Sequence, residues 1–298
     1  HPVLQAGHAA QPEVHGAVMR AYPEEILLMD GQKEALDELV ILVKAATKYQ
    51  FIETELVREI GRKELAKRRS LKEAVKETRN KLHQIGSSYQ EKPIPYDLWR
   101  VELKSLPQDF QEEQVRGALL RFMRLHASTA ERLSILERFF QETLTDLAPL
   151  TSILDLACGL TPLSLPWMPT APHLEYTACD IYQDMTAFLG EFLAHFKIKG
   201  SVSTCDLTQE LPRAEAQVAL LLKTIPCLDQ VDKGAAGRLL RGLQTESILV
   251  SFPAQGLGGR GKGMRQNYEA RFNELVEGEN WEITRFDFEN ELAFLIRK

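Results

Sequence analysis

The amino-acid sequence predicts an α/β protein: a Rossmann-like domain with a mostly parallel seven-stranded sheet, closed by a C-terminal antiparallel hairpin and preceded by an all-helical N-terminal domain. Three observations carry this expectation. Before about residue 126 apolar residues recur at helical spacing without strand-like alternation; after about residue 130 short β-rich runs alternate with helical stretches; and the last two runs are almost contiguous.

In the N-terminal part the spaced apolar positions are Leu36, Leu39, Val40 and Val43, then Leu56 and Ile60, then Leu71, Val75 and Leu82. Each set lies on one side of a 3.6-residue helix. Pro93, Pro95 and Pro107 interrupt the pattern, which resumes through Val115, Leu119, Phe122 and Leu125. The strand-like runs are 152–157, 174–179, 202–205, 217–222 and 247–252, with helical stretches between them, as parallel strands require. Runs 281–288 and 291–298 are separated only by Glu289 and Asn290, too short a link for a parallel crossover, so they form a hairpin. The expected division is a loosely ordered leader at 1–30, a helical domain at 31–126 and the α/β domain at 127–298.

A chain of 298 residues with 44% hydrophobic and 26% charged residues has the make-up of a soluble two-domain protein. No stretch approaches the roughly 20 apolar residues that span a bilayer, and the first 30 residues lack the charged head and apolar core of a secretory signal. Cys158, Cys179, Cys205 and Cys227 form no CxxC pair, so they read as small buried hydrophobes of a cytoplasmic protein kept in a reducing compartment, and no metal site is expected. The net charge of −6 hides a local asymmetry. Between Arg58 and Lys81 ten basic residues face four acidic ones, a surplus suited to a phosphate backbone. The alternative is a solvated helix face with pairs such as Glu73 with Lys76 and Glu77 with Lys81.

The first strand-like run leads into Asp155-Leu156-Ala157-Cys158-Gly159-Leu160-Thr161-Pro162, which puts a carboxylate and small residues at the ligand-binding edge of an open α/β sheet. The second ends at Asp180, where a carboxylate can accept both hydroxyls of a ribose; the third ends at Asp206-Leu207, where a carboxylate can accept from an adenine amine. A nicotinamide dinucleotide suits this less well. There is no GxGxxG, and Pro162 removes an N–H where a pyrophosphate would need one. The plain reading of each aspartate is a loop carboxylate capping the following helix.

Residues 126–133 (HASTAERL), 153–165 (ILDLACGLTPLSL), 220–230 (LLLKTIPCLDQ) and 251–264 (SFPAQGLGGRGKGM) together resemble the aminoglycoside-resistance 16S rRNA (guanine-1405-N7)-methyltransferase family. The similarity extends into the helical part through 48–60 (KYQFIETELVREI) and 74–83 (AVKETRNKLH), and leaves residues 1–30 outside. The resemblance implies a class I methyltransferase domain, S-adenosylmethionine as cofactor, and 16S rRNA of the assembled 30S subunit as partner, with the chain acting as a monomer. It implies that Arg132 helps hold the cofactor's carboxylate, a match for a guanidinium fork; the plain alternative is that Ser128-x-x-Glu131 is a capping box that merely starts a helix. His126, Ala157, Gly159, Ile181 and Leu207 complete the expected cofactor set with Asp155, Asp180 and Asp206. Lys48, Arg58, Arg68, Arg69, Lys72, Lys76, Arg79 and Lys81 are the expected RNA contacts.

Guanine N7 carries a free lone pair, so its methylation needs alignment and shielding rather than a general base. Lys223, after the fourth run, is placed by the resemblance beside the target site, against the alternative of a solvent-exposed lysine. The glycine-rich stretch 256–264 reads as a mobile loop whose Arg260 and Lys262 close over RNA, or as a plain linker. Two other functions stay open at this point: a same-fold methyltransferase acting on another RNA or a small molecule, and an RNA-binding relative without turnover.

Overall fold

The computed structural model describes residues 23–87, 89, 90, 92–254 and 263–298, with side chains from residue 31 onward except at 87. Helices α1 (Pro23–Lys44), α2 (Thr54–Leu65) and α3 (Leu71–Leu82) pack together, and α3 runs directly into a π-helical turn at His83–Ser87. Residues 23–30, expected within a leader, are thus helical. The spaced apolar residues are the ones buried: Leu39 and Val43 of α1, Leu56 and Ile60 of α2, Val75 and Leu82 of α3. Helix α3 starts where Ser70 Oγ accepts the Glu73 N–H at 3.3 Å while the Glu73 carboxylate accepts the Arg69 N–H, which satisfies two otherwise orphaned donors.

Helices α4 (Tyr96–Ser105) and α5 (Glu113–Met123) meet through Trp99, stacked on Phe122 at 4.3 Å. Trp99 also sets its edge against Phe188 of α8 (Gln183–His195), in the α/β part of the chain. Short α6 (Ala127–Arg132) and amphipathic α7 (Leu136–Leu144) then lead into the sheet, α7 burying Phe139 and Phe140. One apolar cluster consequently runs from Leu39 in α1 through the aromatic group to Ile153, Tyr176, Val218 and Leu295 in the sheet.

The seven strands are β1 (Leu150–Leu156), β2 (Thr170–Asp180), β3 (Lys199–Thr204), β4 (Ala216–Leu222), β5 (Thr245–Pro253), β6 (Glu282–Asp287) and β7 (Glu291–Arg297), so every expected run forms a strand. Their order is β3-β2-β1-β4-β5-β7-β6. The first five are parallel; β7 lies antiparallel between β5 and β6. Side chains alternate between two covered faces: Ile153 joins the cluster above, whereas Leu154 and Leu156 join a second one under α10 (Ala235–Gly242) and α11 (Met264–Val276), where Phe272 stacks on Phe294 at 3.9 Å. Between β1 and β2 there is a 3₁₀ segment, Thr161–Trp167, in place of an α-helix, because Pro162 and Pro166 cannot donate to a helical ladder.

One expectation is corrected here. Cys179 and Cys205 are joined as a disulfide, with Cα atoms 5.8 Å apart; Cys158 and Cys227 remain thiols. The pair is distant in sequence, but β2 and β3 are parallel neighbours and their ends lie side by side. No helix among the described residues is long and apolar enough to cross a membrane.

Candidate active site

After β1 the chain turns through two left-handed residues, Ala157 at φ 52° and Gly159 at φ 51°. A side chain at 159 would be strained there, and a Cβ would stand 2.9 Å from the His126 ring. The tight turn leaves a cleft of about 770 Å³, mouth included, over the C-terminal ends of the parallel strands. That is the ligand edge of an open α/β sheet. The sheet side of the wall holds Ala157, Gly159, Asp180, Ile181, Asp206, Leu207 and Lys223; the preceding helical segments contribute Leu56, Ile85, Gly86, Tyr89, His126 and Ser128.

Asp180 accepts the Gly159 N–H through Oδ2 at 2.8 Å and the Ile181 N–H through Oδ1 at 2.7 Å. Burial pushes its carboxyl up to about 6, opposed by those backbone donors. With the Tyr182 N–H, three backbone donors share its two oxygens, and the remaining acceptor capacity is open to a ligand hydroxyl. Asp206 splits its two oxygens: Oδ1 accepts from the N–H and hydroxyl of Thr208 at 2.9 and 2.7 Å, as a turn-capping aspartate does, while Oδ2 is buried with no hydrogen-bond partner among the described residues. An exocyclic amine entering the cleft could supply the missing donor.

Two expected cofactor residues lie elsewhere. Asp155 is fully buried in β1, outside the cleft wall, where it accepts the Tyr176 hydroxyl at 2.7 Å; burial raises its carboxyl to about 7 despite that bond and the nearby Arg132. Arg132 is also fully buried and outside the wall. Its Nε and Nη2 donate to Glu291 at 3.0 and 2.6 Å, and Nη1 has no hydrogen-bond partner among the described residues. One guanidinium donor group is therefore uncommitted.

The capping box does not form. Helix α6 starts at Ala127 with His126 as its N-cap and no side-chain cap, and the Glu131 carboxylate instead accepts from Lys223 Nζ at 2.6 Å. Lys223 is no surface lysine: it is 2% exposed, adopts φ 60°, and donates also to the Ser128 carbonyl at 3.2 Å. A bulky residue held at positive φ on a cleft wall marks a position fixed by its surroundings. His126 stacks on Tyr89 at 5.9 Å; burial, with Lys223 and Arg132 nearby, lowers its imidazole to about 4, so it is neutral at pH 7. The Cys227 thiol, pushed up to about 11 by burial, meets the Tyr89 hydroxyl at 3.4 Å.

The basic residues divide by partner. Arg58 is paired with Asp37 and Glu55, and Arg68 with Glu64, so their charge is largely offset. Lys48 meets His83, Arg79 donates to the Leu42 carbonyl and Lys81 to the Gln230 carbonyl, all neutral groups. Arg69, Lys72 and Lys76 have no ion pair among the described residues, and Glu73 with Lys76 and Glu77 with Lys81 do not pair. Lys72, Lys76 and Arg79 border one open groove on α3. Arg260 and Lys262 lie outside the described residues.

Sequence reasoning missed Tyr89, Thr208, Cys227 and Glu291. Thr208 was within reach as the second residue after a strand-end aspartate. The others come from distant segments and carry no local signal.

The comparisons with known proteins agree in direction. A family described as "Ribosomal RNA methyltransferase (FmrO)" matches residues 45–295. A 16S rRNA (guanine(1405)-N(7))-methyltransferase of Micromonospora echinospora is 33% identical over 268 residues, covering 89% of this chain and 98% of its own. One of Serratia marcescens is 30% identical over 263 residues, covering 88% and 98%. Among solved structures, the 16S rRNA methyltransferase RmtF in complex with S-adenosyl-L-homocysteine superposes with a TM-score of 0.74 at 29% identity, covering 90% of this chain and 98% of that one. The 16S rRNA methylase RmtB gives 0.72 at 26% identity, with 88% and 98% covered. A seven-stranded sheet with β7 inserted antiparallel, an acid-lined cleft over its parallel strand ends and a match through residues 45–295 have one consequence: the chain belongs to the FmrO family of ribosomal RNA methyltransferases.

Proposed function

We propose that this chain transfers the methyl group of S-adenosylmethionine to N7 of guanine 1405 in 16S ribosomal RNA, working in the cytoplasm as a monomer on the assembled 30S subunit, and so confers aminoglycoside resistance. The observation that carries the reading is the juxtaposition of Asp180 and the unpartnered Asp206 Oδ2 in one cleft, in a chain whose relatives share that reaction. When bound, the cofactor supplies an electrophilic methyl group on a sulfonium. Asp180 would hold the ribose hydroxyls, Asp206 the adenine amine and Leu207 the ring face. Arg132 would offer Nη1 to the carboxylate, acting from behind the wall.

No proton leaves guanine N7 during attack, so no residue need act as a base, and neutral His126 suits a packing role beside the Gly159 turn. The chain's contribution is alignment and exclusion of water. Tyr89, Leu56 and Ile85 cover the cleft from the helical side, so the part of the chain that carries the basic groove also shapes the reaction site. We place the RNA grip in residues 31–126, centred on Arg69, Lys72, Lys76 and Arg79, with Arg260 and Lys262 joining it from the glycine-rich stretch. Phosphate neutralisation there supplies affinity, and the folded subunit supplies shape. Incubation with labelled cofactor and either intact small subunits or extracted 16S rRNA tests the reading: subunits should be methylated and free RNA should react poorly.

A further inference from the structure

Behind Lys223 lies a carboxylate that no motif marks. Glu291, the first residue of β7, is completely buried. Its two oxygens take Nη2 and Nε of Arg132 at 2.6 and 3.0 Å and the Ser251 hydroxyl at 2.5 Å, and stand 3.7 Å from Lys223 Nζ. Lys223 is tied in turn to Glu131, whose side chain is 30% exposed. The backbone agrees with the side chains: Lys223 N–H reaches the carbonyl and hydroxyl of Ser251, and Asn290 donates to the Glu131 carbonyl, so β5, β7 and α6 close around one point. Two cations and two anions thus share a site from which Glu291 and Arg132 cannot reach water. Burial alone would raise the Glu291 carboxyl, yet Arg132 and Lys223 hold it below its ordinary range, so it is ionised at neutral pH.

A buried carboxylate bridging two cations does more than pack. A lone buried cation is costly, and the same two cations would repel a positively charged ligand in the cleft that Lys223 lines. We propose that Glu291 is a positioning residue of the methyl-transfer site: it locks Arg132 and Lys223 into one unit and cancels enough of their charge for the cleft to accept a sulfonium beside Lys223. The inference rests on the cofactor reading above. It gives Glu291 control over one quantity, the preference between the cationic cofactor and its neutral thioether product, which carry the same nucleoside and the same amino-acid group.

The test is calorimetric titration of S-adenosylmethionine and S-adenosylhomocysteine into the wild type, Glu291→Gln, Lys223→Met and the double variant. Glu291→Gln should weaken the sulfonium on the order of tenfold more than the thioether, the size expected for a unit charge acting over roughly 10 Å at an effective dielectric of about 20. Lys223→Met should shift the ratio in the opposite sense, and the double variant should return it toward wild type. Comparing Lys223→Met with the double variant gives the effect of Glu291 even if Glu291→Gln alone does not fold. Equal loss of both ligands in every variant would overturn the proposal and leave Glu291 a structural strut. Wild type that binds neither ligand would instead overturn the cofactor reading on which it stands.

Discussion

The backbone N–H of Gly159 donates to Oδ2 of Asp180 at 2.8 Å, so the turn that ends β1 is tied to the carboxylate that ends β2. One side chain therefore shapes the cleft and presents an acceptor to whatever enters it. Replacing Asp180 with Asn removes the charge and sets an amide N–H₂ against a backbone donor. Cofactor affinity should fall roughly 10- to 100-fold, as expected for loss of one charge-assisted bond of about 1.5–3 kcal/mol. Calorimetry on the folded variant checks this; unchanged affinity would remove Asp180 from the ribose contact.

The same carboxylate predicts how binding depends on pH. In the free protein burial holds Asp180 at about 6, and ligand hydroxyls favour its ionised form. Affinity should rise with pH up to about 6 and then level, with proton release on binding below that point. Titrations in buffers of different ionisation enthalpy would detect the proton. A flat profile between pH 5 and 7 would contradict the assignment.

The buried carboxyl of Asp155 carries a prediction about stability. Its folded carboxyl is raised to about 7 from 3.8, so the folded state binds the extra proton in that window, and stability is full below it and lost as pH rises through it. Asp155→Asn should abolish a wild-type loss with a slope of at most about 1.4 kcal/mol per pH unit. Denaturant midpoints of both proteins at pH 5 and pH 8 decide the matter: the difference between them should move in favour of the variant at the higher pH.

On and just before α3, replacing Arg69, Lys72 and Lys76 with glutamate should weaken 30S binding and flatten its salt dependence, because each lost phosphate contact removes about one released counterion. Cofactor affinity should stay within twofold or so of wild type, since none of the three lines the cleft. An unaltered salt slope would move the RNA grip elsewhere.

Features written in local periodicity were legible from the sequence. All seven strands, the closing hairpin and the strand-end residues Asp180 and Asp206 follow from alternation, spacing and the geometry of parallel sheets. Features that depend on which distant segments meet were not. Arg132 and Glu291 are 159 residues apart in the chain and join only because β7 inserts beside β5 and α6 docks on its end. Ser128 and Glu131 have the spacing of a capping box, but the nearby ammonium of Lys223 takes the Glu131 carboxylate that the box would have used. Asp155 fits the strand-end pattern by position, yet it is the penultimate residue of β1 and is held inside by Tyr176.

The most direct test of the account is to map the methylated position. Intact small subunits are incubated with the protein and S-adenosylmethionine, the RNA is extracted, and borohydride followed by aniline cleaves the strand wherever N7 methylation has made a cationic, labile guanine. The account predicts a single new cleavage, at guanine 1405 of 16S rRNA, and little product when the RNA is presented without ribosomal proteins. Cleavage at another guanine, methylation of an adenine, or equal activity on naked RNA would contradict it.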